Sequence, residues 1–257
     1  MRSCSLTEPD ALVARLRAAG CVFAEDEAAL LISATTDAGE LESLVARRVA
    51  GEPLEYVLGW AEFAGLRLAV APGVFVPRRR TELLLSLALA AAPTASLEVC
   101  CGVAPVATAV KGRMPDASVI ASDLDPAAVE VARRNLEPLG GTVVESDLFG
   151  GLPLGARFDV IVANAPYVPT GEVVNMPREA REFEHPLALD GGDDGLALHR
   201  RIAAEVGAWL ADRGTVLVET SRRQASVDRE IFEARGWRVE VITDDDLDAT
   251  AVRATRP

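Results

Sequence analysis

The tetrapeptide Asn164-Ala165-Pro166-Tyr167 follows an almost wholly apolar run and carries groups that could bind a planar NH2 group. An amide nitrogen is a poor nucleophile because its lone pair is delocalised into the carbonyl. The side-chain oxygen of Asn164 and the main-chain carbonyl of Ala165 can each accept one N–H, which orients the nitrogen and stabilises charge that builds on it during transfer. Pro166 would fix the turn, and Tyr167 would offer a flat face for stacking. The alternative is an ordinary Asn-x-Pro turn with a core tyrosine.

A second candidate site is the turn around Gly102, which separates an apolar strand from a helix that should begin at Pro105. Proline suits the first turn of a helix because its ring fixes φ. Gly102 would let the chain turn sharply beneath a ligand. Such turns also contain glycine for geometric reasons alone, so Gly102 supports a binding site only together with other residues.

Acidic residues follow two further predicted strands. Asp123 lies about 20 residues past the glycine turn, where a carboxylate can accept both hydroxyl protons of a ribose. Asp147 could accept from an exocyclic adenine amine while Leu148 or the next residue, Phe149, packs on the ring. The alternatives are a helix-capping turn around Asp123, with Asp125 as the cap, and a surface loop around Asp147.

The elements that must position these residues alternate between strands and helices from about residue 95 onward. The predicted strands are Ser96–Cys100, Ser118–Ser122, Thr142–Glu145, Asp159–Ala163 and Thr215–Glu219. This alternation predicts an α/β fold with a doubly wound, mostly parallel sheet covered on both faces. The carboxyl ends of parallel strands meet at one edge, and nucleotide-like ligands bind there near the point where the strand order reverses.

The end of the chain departs from this pattern. Trp237–Ile242 and Ala249–Arg253 are both strand-like, and the acidic turn between them is too short for a crossover helix. We therefore expect seven strands in all, with the last strand antiparallel to its partner. The acidic residues from Asp244 to Asp248 are interpreted as a solvated turn.

The first fifty residues have helical periodicity. Thr7 is a candidate N-cap of a first helix that ends at Gly20, a second helix should cover Glu25–Ser33, and a third carries Leu41, Leu44, Val45 and Val49. Residues 54–77 then alternate between apolar and polar side chains and are punctuated by glycine and proline, which predicts a β-hairpin. We accordingly predict a helical domain at residues 1–52, a linker with a β-hairpin at 53–77 and a main domain at 78–257.

Composition narrows the class of protein. The chain has 257 residues and a formal net charge of -13, so its surface repels phosphate backbones, and no long basic cluster offsets this. We expect no stable binding to nucleic acid. Neither a signal peptide nor an apolar run of about 20 residues is visible, which predicts a cytoplasmic protein without a membrane partner. The four cysteines read as reduced thiols, no metal site is expected, and His185 and His199 are interpreted as surface or structural residues.

These residues and their order resemble the protein N5-glutamine methyltransferase family, which methylates the glutamine of peptide chain release factors. The resemblance covers nearly the whole chain. It is carried by the segments at 51–59, 72–82 and 188–196, by the Asn-x-Pro-Tyr motif, by Glu184 and by Glu219. The chain departs from the family at Val103-Ala104, where Ser-Gly is usual, at Ala165, where proline is usual, and in its short helical domain.

The resemblance implies a class I methyltransferase fold, S-adenosylmethionine as the cofactor and a release factor as the protein substrate, which the helical domain would dock. It implies that Asn164, Ala165, Pro166 and Tyr167 form the catalytic motif that binds the target amide. The residues we predict at the cofactor site are Arg78, Thr81, Glu98, Cys100, Gly102, Ala104, Asp123, Leu124, Asp147, Leu148 and Asn164. Because Ala104 replaces a glycine that lets the backbone approach the cofactor, its methyl group is expected to weaken binding.

Two other functions are compatible with the same motifs. Methyltransferases acting on the exocyclic amine of a nucleobase, or on a small-molecule amide, use a similar motif for a nitrogen of the same planar kind. The acidic chain lacks the basic groove that a nucleic-acid enzyme needs. A binding protein that has lost catalysis is the third hypothesis, and it rests on Ala104.

Overall fold

The computed structural model describes residues 9–257. At the N-terminus, three helices pack around a small apolar core of their own that includes Leu12, Leu16, Leu31 and Val45. The helices are α1 (Pro9–Ala18), α2 (Ala24–Ala34) and α3 (Ala38–Val49), as the periodicity predicts. Asp37 caps α3 by accepting a hydrogen bond from the backbone N–H of Glu40. The predicted N-cap Thr7 lies outside the described residues.

The segment predicted as a β-hairpin over residues 54–77 begins instead with a helix, α4 (Leu54–Leu58). Gly59 ends this helix in the left-handed conformation with φ at 78°. The hairpin itself is shorter and consists of β1 (Trp60–Phe63) and β2 (Leu66–Ala69). The helix was missed because its apolar residues do not fill a full helical period, whereas Tyr56 and Val57 are buried by tertiary contacts.

The main domain is built on a seven-stranded sheet with the order β5-β4-β3-β6-β7-β9-β8. The strands are β3 (Ala95–Val99), β4 (Ser118–Asp123), β5 (Thr142–Glu145), β6 (Phe158–Ala163), β7 (Leu210–Glu219), β8 (Arg238–Asp244) and β9 (Ala249–Thr255). The first five of these pair in parallel, and the order reverses between β3 and β6. The predicted doubly wound sheet is confirmed.

The last strand lies between β7 and β8 and is antiparallel to both, as the short acidic turn predicts. Strand β7 starts earlier than predicted, at Leu210. Its register with β6 shifts between Phe158 and Val160, so residues 211–214, which include Asp212 and Arg213, interrupt the apolar pattern without ending the strand.

Helices cover both faces of the sheet. On one face of the sheet, a single apolar core includes residues of three helices: α5 (Glu82–Ala90), α6 (Pro105–Arg113) and α7 (Pro126–Leu136). On the opposite face, α9 (Ala197–Glu205) and α10 (Ala225–Glu233) pack against a second core. A segment with the short helix α8 (Arg178–Phe183) joins β6 to α9 and passes over the carboxyl edge of the strands. Within residues 9–257, no helix has the length and hydrophobicity that a bilayer crossing requires.

Candidate active site

A cavity of about 340 Å³ opens at the carboxyl edge of β3, β4 and β6, where the strand order reverses. Its volume is in the range of small-molecule sites. The structure brings most of the predicted residues together here. The cavity is lined by Thr81, Glu98, Cys100, Gly102, Asp123, Leu124, Asp147, Leu148 and the whole Asn164–Tyr167 motif. Two residues predicted at the cofactor site, Arg78 and Ala104, are absent from this lining.

The glycine turn has an unusual backbone between β3 and α6. Cys100, Gly102 and Ala104 all adopt positive φ values, of 52°, 53° and 58°. Only glycine adopts this conformation without a steric penalty. The turn is held by the backbone N–H of Cys101, which donates to the carbonyl of Ser122 at 3.0 Å, and by that of Gly102, which donates to Asp123 Oδ2 at 2.8 Å.

Ala104, whose methyl group is expected to weaken cofactor binding, does not line the cavity. Ala104 is fully buried at the N-cap position of α6 and packs in the apolar core beneath the loop. Its extra methyl group therefore affects the conformational energy of the turn, whereas the cavity surface is formed by its neighbours Val103 and Pro105. The sequence motif could not distinguish these two effects because both favour glycine at this position.

The sequence left open whether Asp123 faces a ligand or belongs to a helix-capping turn. In the structure, Asp123 at the end of β4 and Asp125 two residues later have different roles. Asp125 caps α7 by accepting from the backbone N–H of Ala127 at 2.9 Å, with Pro126 in the first turn. Asp123 faces the cavity, and its oxygens accept from the backbone N–H groups of Gly102 and Asp125. Burial raises the pKa of Asp123. A carboxylate has about four acceptor positions, so two remain available for the hydroxyl groups of a ribose.

Glu98 lies in β3 and is buried beneath the glycine turn. Its two oxygens accept from the backbone N–H groups of Val106 at 3.3 Å and Ala107 at 2.6 Å, at the start of α6. Burial raises the pKa of Glu98 to about 8, and the hydrogen bonds from the helix oppose this rise only in part. Glu98 therefore ties the strand to the helix, and its carboxyl releases its proton at a higher pH than an exposed glutamate does.

The side of the cavity next to β5 carries an ion pair that the sequence did not predict. Arg201, in α9, contacts both oxygens of Asp147, at 2.9 and 3.0 Å. Leu148 follows with φ at 51° and is buried, whereas Leu124, which also lines the cavity, is 53% exposed. The two leucines provide apolar walls of the kind that a flat base requires. An adenine amine would share the Asp147 carboxylate with Arg201.

The Asn164–Tyr167 turn is fixed from outside by the glycine-rich loop at 191–195. A Cβ atom on Gly191 would lie 2.7 Å from the carbonyl oxygen of Pro166, and one on Gly195 would lie 2.2 Å from that of Tyr167. Gln224 donates from Nε2 to the same Tyr167 oxygen at 2.9 Å. The loop packs directly on the backbone of the motif, and the absence of side chains at its glycines makes this approach possible.

Within the motif, the side chain of Asn164 donates from Nδ2 to the hydroxyl of Thr81 at 3.2 Å. The Tyr167 hydroxyl donates to Glu219 Oε1 at 3.2 Å, at the end of β7. No described residue donates a hydrogen bond to Asn164 Oδ1 or to the carbonyl oxygen of Ala165. Both acceptors that the sequence predicts for a planar NH2 group are thus available at the cavity.

Sequence reasoning placed Arg78 at the cofactor site, but the structure pairs it with the buried Glu184 at 2.5 Å. The pair joins the linker to the segment over the cavity. Phe75, Arg80 and Arg201 line the cavity and were not predicted. Arg80 could have been found from its position within the segment at 72–82, whereas nothing in the local sequence distinguishes Arg201 from other helix-surface arginines.

Histidine and cysteine side chains are the remaining groups that could act in catalysis or bind a metal. His199 is fully buried and contacts Asp228 at 2.7 Å, between α9 and α10. His185 is exposed, and its Nδ1 accepts from the backbone N–H of Leu187. The surroundings of His199 agree with the structural role predicted for it, whereas His185 also lies in the lining of the cavity. Cys21, Cys100 and Cys101 are free thiols, and burial raises the pKa of Cys101 well above its usual value.

Comparison with known proteins identifies the family of this chain. The family model of the methyltransferase small domain matches residues 65–182. A release factor glutamine methyltransferase of Geobacter sulfurreducens is 40% identical over 199 residues, which cover 76% of this chain and 69% of that protein. One from Mycolicibacterium smegmatis is 35% identical over 266 residues, covering 94% of this chain and 93% of that protein.

A relative with a different name is the 4-amino-L-phenylalanine/4-methylamino-L-phenylalanine methyltransferase of Streptomyces pristinaespiralis. It is 35% identical over 202 residues, covering 75% of this chain and 69% of that protein. Among solved structures, a methyltransferase from Pyrococcus furiosus superposes with a TM-score of 0.56 at 18% identity, covering 76% of this chain and 91% of that one. This likeness shows the class I methyltransferase fold. The sequence identity extends over nearly the whole of a curated relative, and the chain therefore belongs to the release factor glutamine methyltransferase family.

Proposed function

We propose that this chain methylates the side-chain amide nitrogen (N5) of a glutamine in a peptide chain release factor. The observation that carries the proposal is the pair of acceptors without a donor among the described residues, Asn164 Oδ1 and the Ala165 carbonyl, in a cavity that Asp123 and Asp147 also line. Two acceptors match the two N–H bonds of a primary amide. The names of the relatives supply the substrate class.

As a methyltransferase of this family the chain uses S-adenosylmethionine, which supplies an electrophilic methyl group when bound. The cavity fits that molecule: Asp123 would accept from the ribose, Leu124 and Leu148 would enclose the base, and Asp147 would accept from its amine. The residue assignments rest on the orientation of these groups towards one cavity.

The chain's own contribution to the reaction is orientation and charge stabilisation. With both N–H bonds held by Asn164 and Ala165, the plane of the amide is fixed, and the lone pair of its nitrogen, which is perpendicular to that plane, can face the methyl donor. Positive charge builds on that nitrogen during transfer, so both hydrogen bonds become stronger in the transition state than in the ground state. Once methylated, the amide nitrogen carries a positive charge and is strongly acidic, so it loses one N–H proton to water as the neutral N-methyl amide forms. Neither acceptor has to remove that proton, and the motif needs no strong base.

We further propose that the helical domain, predicted at residues 1–52, docks the protein substrate. Its Arg48 is nearly buried and pairs with Glu27 and with Glu179, each at 2.6 Å. Glu179 belongs to α8, which lies in the segment over the cavity. A substrate held by the helical domain would therefore be presented at the cavity mouth. A release factor as substrate also implies action in the cytoplasm, where translation ends, without stable binding to nucleic acid.

A small aromatic amine is a second candidate substrate, because the relative from Streptomyces pristinaespiralis is named for 4-amino-L-phenylalanine. Its amine presents two N–H bonds in the plane of a ring, and the same two acceptors would fit. A release factor is much larger than a free aromatic amine, so the helical domain would contribute to substrate binding only for the release factor. Transfer of labelled methyl to 4-amino-L-phenylalanine, with none to a release factor, would favour this second function.

The proposed function is tested by Asn164→Ala. We expect transfer of labelled methyl from S-adenosylmethionine to an unmethylated bacterial release factor to fall by at least about 100-fold, because an acceptor for the charged transition state is removed. Cofactor affinity, measured by calorimetry, should change less than about threefold. Asn175→Ala, at an exposed asparagine, is the matched control. If Asn164→Ala lowers cofactor affinity as much as transfer, Asn164 belongs to the cofactor site and the assignment is wrong.

A further inference from the structure

Behind the Asn164 side chain lies a buried chain of hydrogen bonds that ends on a carboxylate. Asn164 Nδ2 donates to Thr81 Oγ1 at 3.2 Å, and the Thr81 hydroxyl donates to Glu219 Oε2 at 2.7 Å. Thr81 is 1% exposed and Glu219 2% exposed, so water does not substitute for these partners. Three different parts of the fold contribute to this chain of hydrogen bonds: Asn164 directly follows β6, Glu219 is the last residue of β7, and Thr81 directly precedes α5.

Glu219 is held as a carboxylate acceptor by several donors. Its Oε1 accepts from the Tyr167 hydroxyl at 3.2 Å and lies 3.3 Å from Nε of Arg80. Its Oε2 accepts from Thr81. Burial raises the pKa of Glu219, and the contacts with Thr81, Arg80 and Tyr167 oppose that rise. With donors on both oxygens, the carboxylate form is the one that satisfies every partner.

The number of protons available for hydrogen bonding among Asn164, Thr81 and Glu219 determines the orientation of the Asn164 amide. A threonine hydroxyl has one proton and two acceptor positions. Because Glu219 accepts the proton of Thr81, the hydroxyl can offer Asn164 only an acceptor. The NH2 end of Asn164 must therefore face Thr81. A flipped amide would place Oδ1 against the hydroxyl oxygen with no proton between them, inside a buried region where an unsatisfied polar pair is costly.

We propose that Thr81 is a positioning residue, which together with Glu219 holds the Asn164 amide with its oxygen towards the methyl acceptor. The inference rests on the proposed function, in which that oxygen accepts an N–H of the substrate amide. It replaces the expectation that Thr81 binds the cofactor. A flipped Asn164 would present a donor to the substrate NH2 group, which is itself a donor, and the target nitrogen would be repelled instead of oriented.

Three substitutions test the hydrogen-bond chain. Thr81→Val removes the hydroxyl at nearly constant volume, and Thr81→Ser restores it. Glu219→Gln makes a sharper prediction. The glutamine oxygen should stay with its two donors, Tyr167 and Arg80, so its NH2 group faces Thr81. The Thr81 hydroxyl then turns its proton towards Asn164 and favours the flipped amide.

The matched control is Thr108→Val in α6. Thr108 is 4% exposed, and its hydroxyl has no hydrogen-bond partner among the described residues. It lies outside the cavity lining. The control therefore applies the same change of side chain at a buried threonine that takes no part in the chain, and it should leave both activity and cofactor affinity unchanged.

The assay measures kcat and KM for an unmethylated bacterial release factor, with the cofactor affinity measured separately. Thr81→Val and Glu219→Gln should lower kcat by about 10- to 100-fold, with cofactor affinity within about threefold of the natural chain, and Thr81→Ser should recover most of the rate. Loss of cofactor affinity in Thr81→Val would instead place Thr81 at the cofactor. Unchanged kcat in both variants would refute the positioning role.

A second readout does not depend on the substrate. In the natural chain, one side-chain N–H of Asn164 is hydrogen bonded to a buried hydroxyl, so its NMR signal, assigned by its loss in Asn164→Asp, should show slowed exchange with solvent. Thr81→Val should abolish this protection and Thr81→Ser should keep it. If the natural chain shows protection but fails to methylate a release factor, the proposed substrate is wrong. If protection is absent in the natural chain, the inference itself is wrong.

Discussion

The buried Glu98 makes the stability of the cofactor-free protein depend on pH in a direction that can be tested. Its carboxyl is 3% exposed, and its pKa rises from 4.5 to about 8 because of burial. A carboxyl with a raised pKa in the folded state binds a proton that the unfolded chain has already released. The free energy of unfolding therefore falls as pH rises from about 4.5 to about 8 and becomes constant above that range.

The size of this effect follows from the same two values. Each pKa unit corresponds to about 1.4 kcal/mol, so Glu98 should cost the natural chain roughly 4 kcal/mol of stability between pH 5 and pH 9. Glu98→Gln removes the titration. One backbone N–H at the start of α6 then loses a good acceptor, but that loss is the same at every pH because neither group titrates.

Urea denaturation of both proteins, without cofactor, at five pH values from 5 to 9 measures this difference. We expect the free energy of unfolding of Glu98→Gln, relative to the natural chain, to increase by roughly 3 to 4 kcal/mol across the range. Glu145→Gln, at an exposed carboxyl of β5, is the control and should show a constant difference. Parallel stability profiles for Glu98→Gln and the natural chain would refute the argument that burial dominates the surroundings of Glu98.

Three further substitutions test the packing around the site. Ala104→Gly should change cofactor affinity by less than about threefold in calorimetry, because relief of the positive φ acts on the turn and the residue does not line the cavity. A large gain in affinity would restore the idea that the alanine methyl obstructs the cofactor. Gly195→Ala should destabilise the fold by at least about 2 kcal/mol in thermal melts and reduce transfer, because its Cβ would collide with the Tyr167 carbonyl. Arg48→Met should lower stability by about 3 kcal/mol, because it leaves Glu27 as a nearly buried charge without its partner, and an unchanged melting temperature would contradict this.

The sequence was sufficient for the sheet and for the edge at which the site lies. Apolar runs of strand length alternate with helical periodicity, and parallel strands place their carboxyl ends together, so Asp123, Asp147 and Asn164 could be assigned to one edge before any coordinates. The short acidic turn before Ala249 was likewise enough to predict the antiparallel last strand. These features depend on local pattern and chain connectivity, which the sequence contains directly.

The helix at Leu54–Leu58 and the early start of β7 were not visible for the opposite reason. Each contradicts its local pattern and is stabilised by neighbours that are distant in the chain. The same holds for the role of Ala104. A glycine-rich motif records that a position favours glycine, but only the packing shows whether the cause is contact with a ligand or a positive φ.

The sequence by itself thus determined the fold class and the edge of the sheet that carries the cavity, and it predicted two acceptors for a planar nitrogen. Only the tertiary structure decided how those acceptors are oriented. Asn164 lies 83 residues after Thr81 in the sequence, and Glu219 lies 138 residues after it. The three side chains nevertheless meet in one buried chain of hydrogen bonds. The orientation of an amide side chain depends on whether each hydrogen-bond partner can donate or only accept. The spacing of residues along a sequence does not show this.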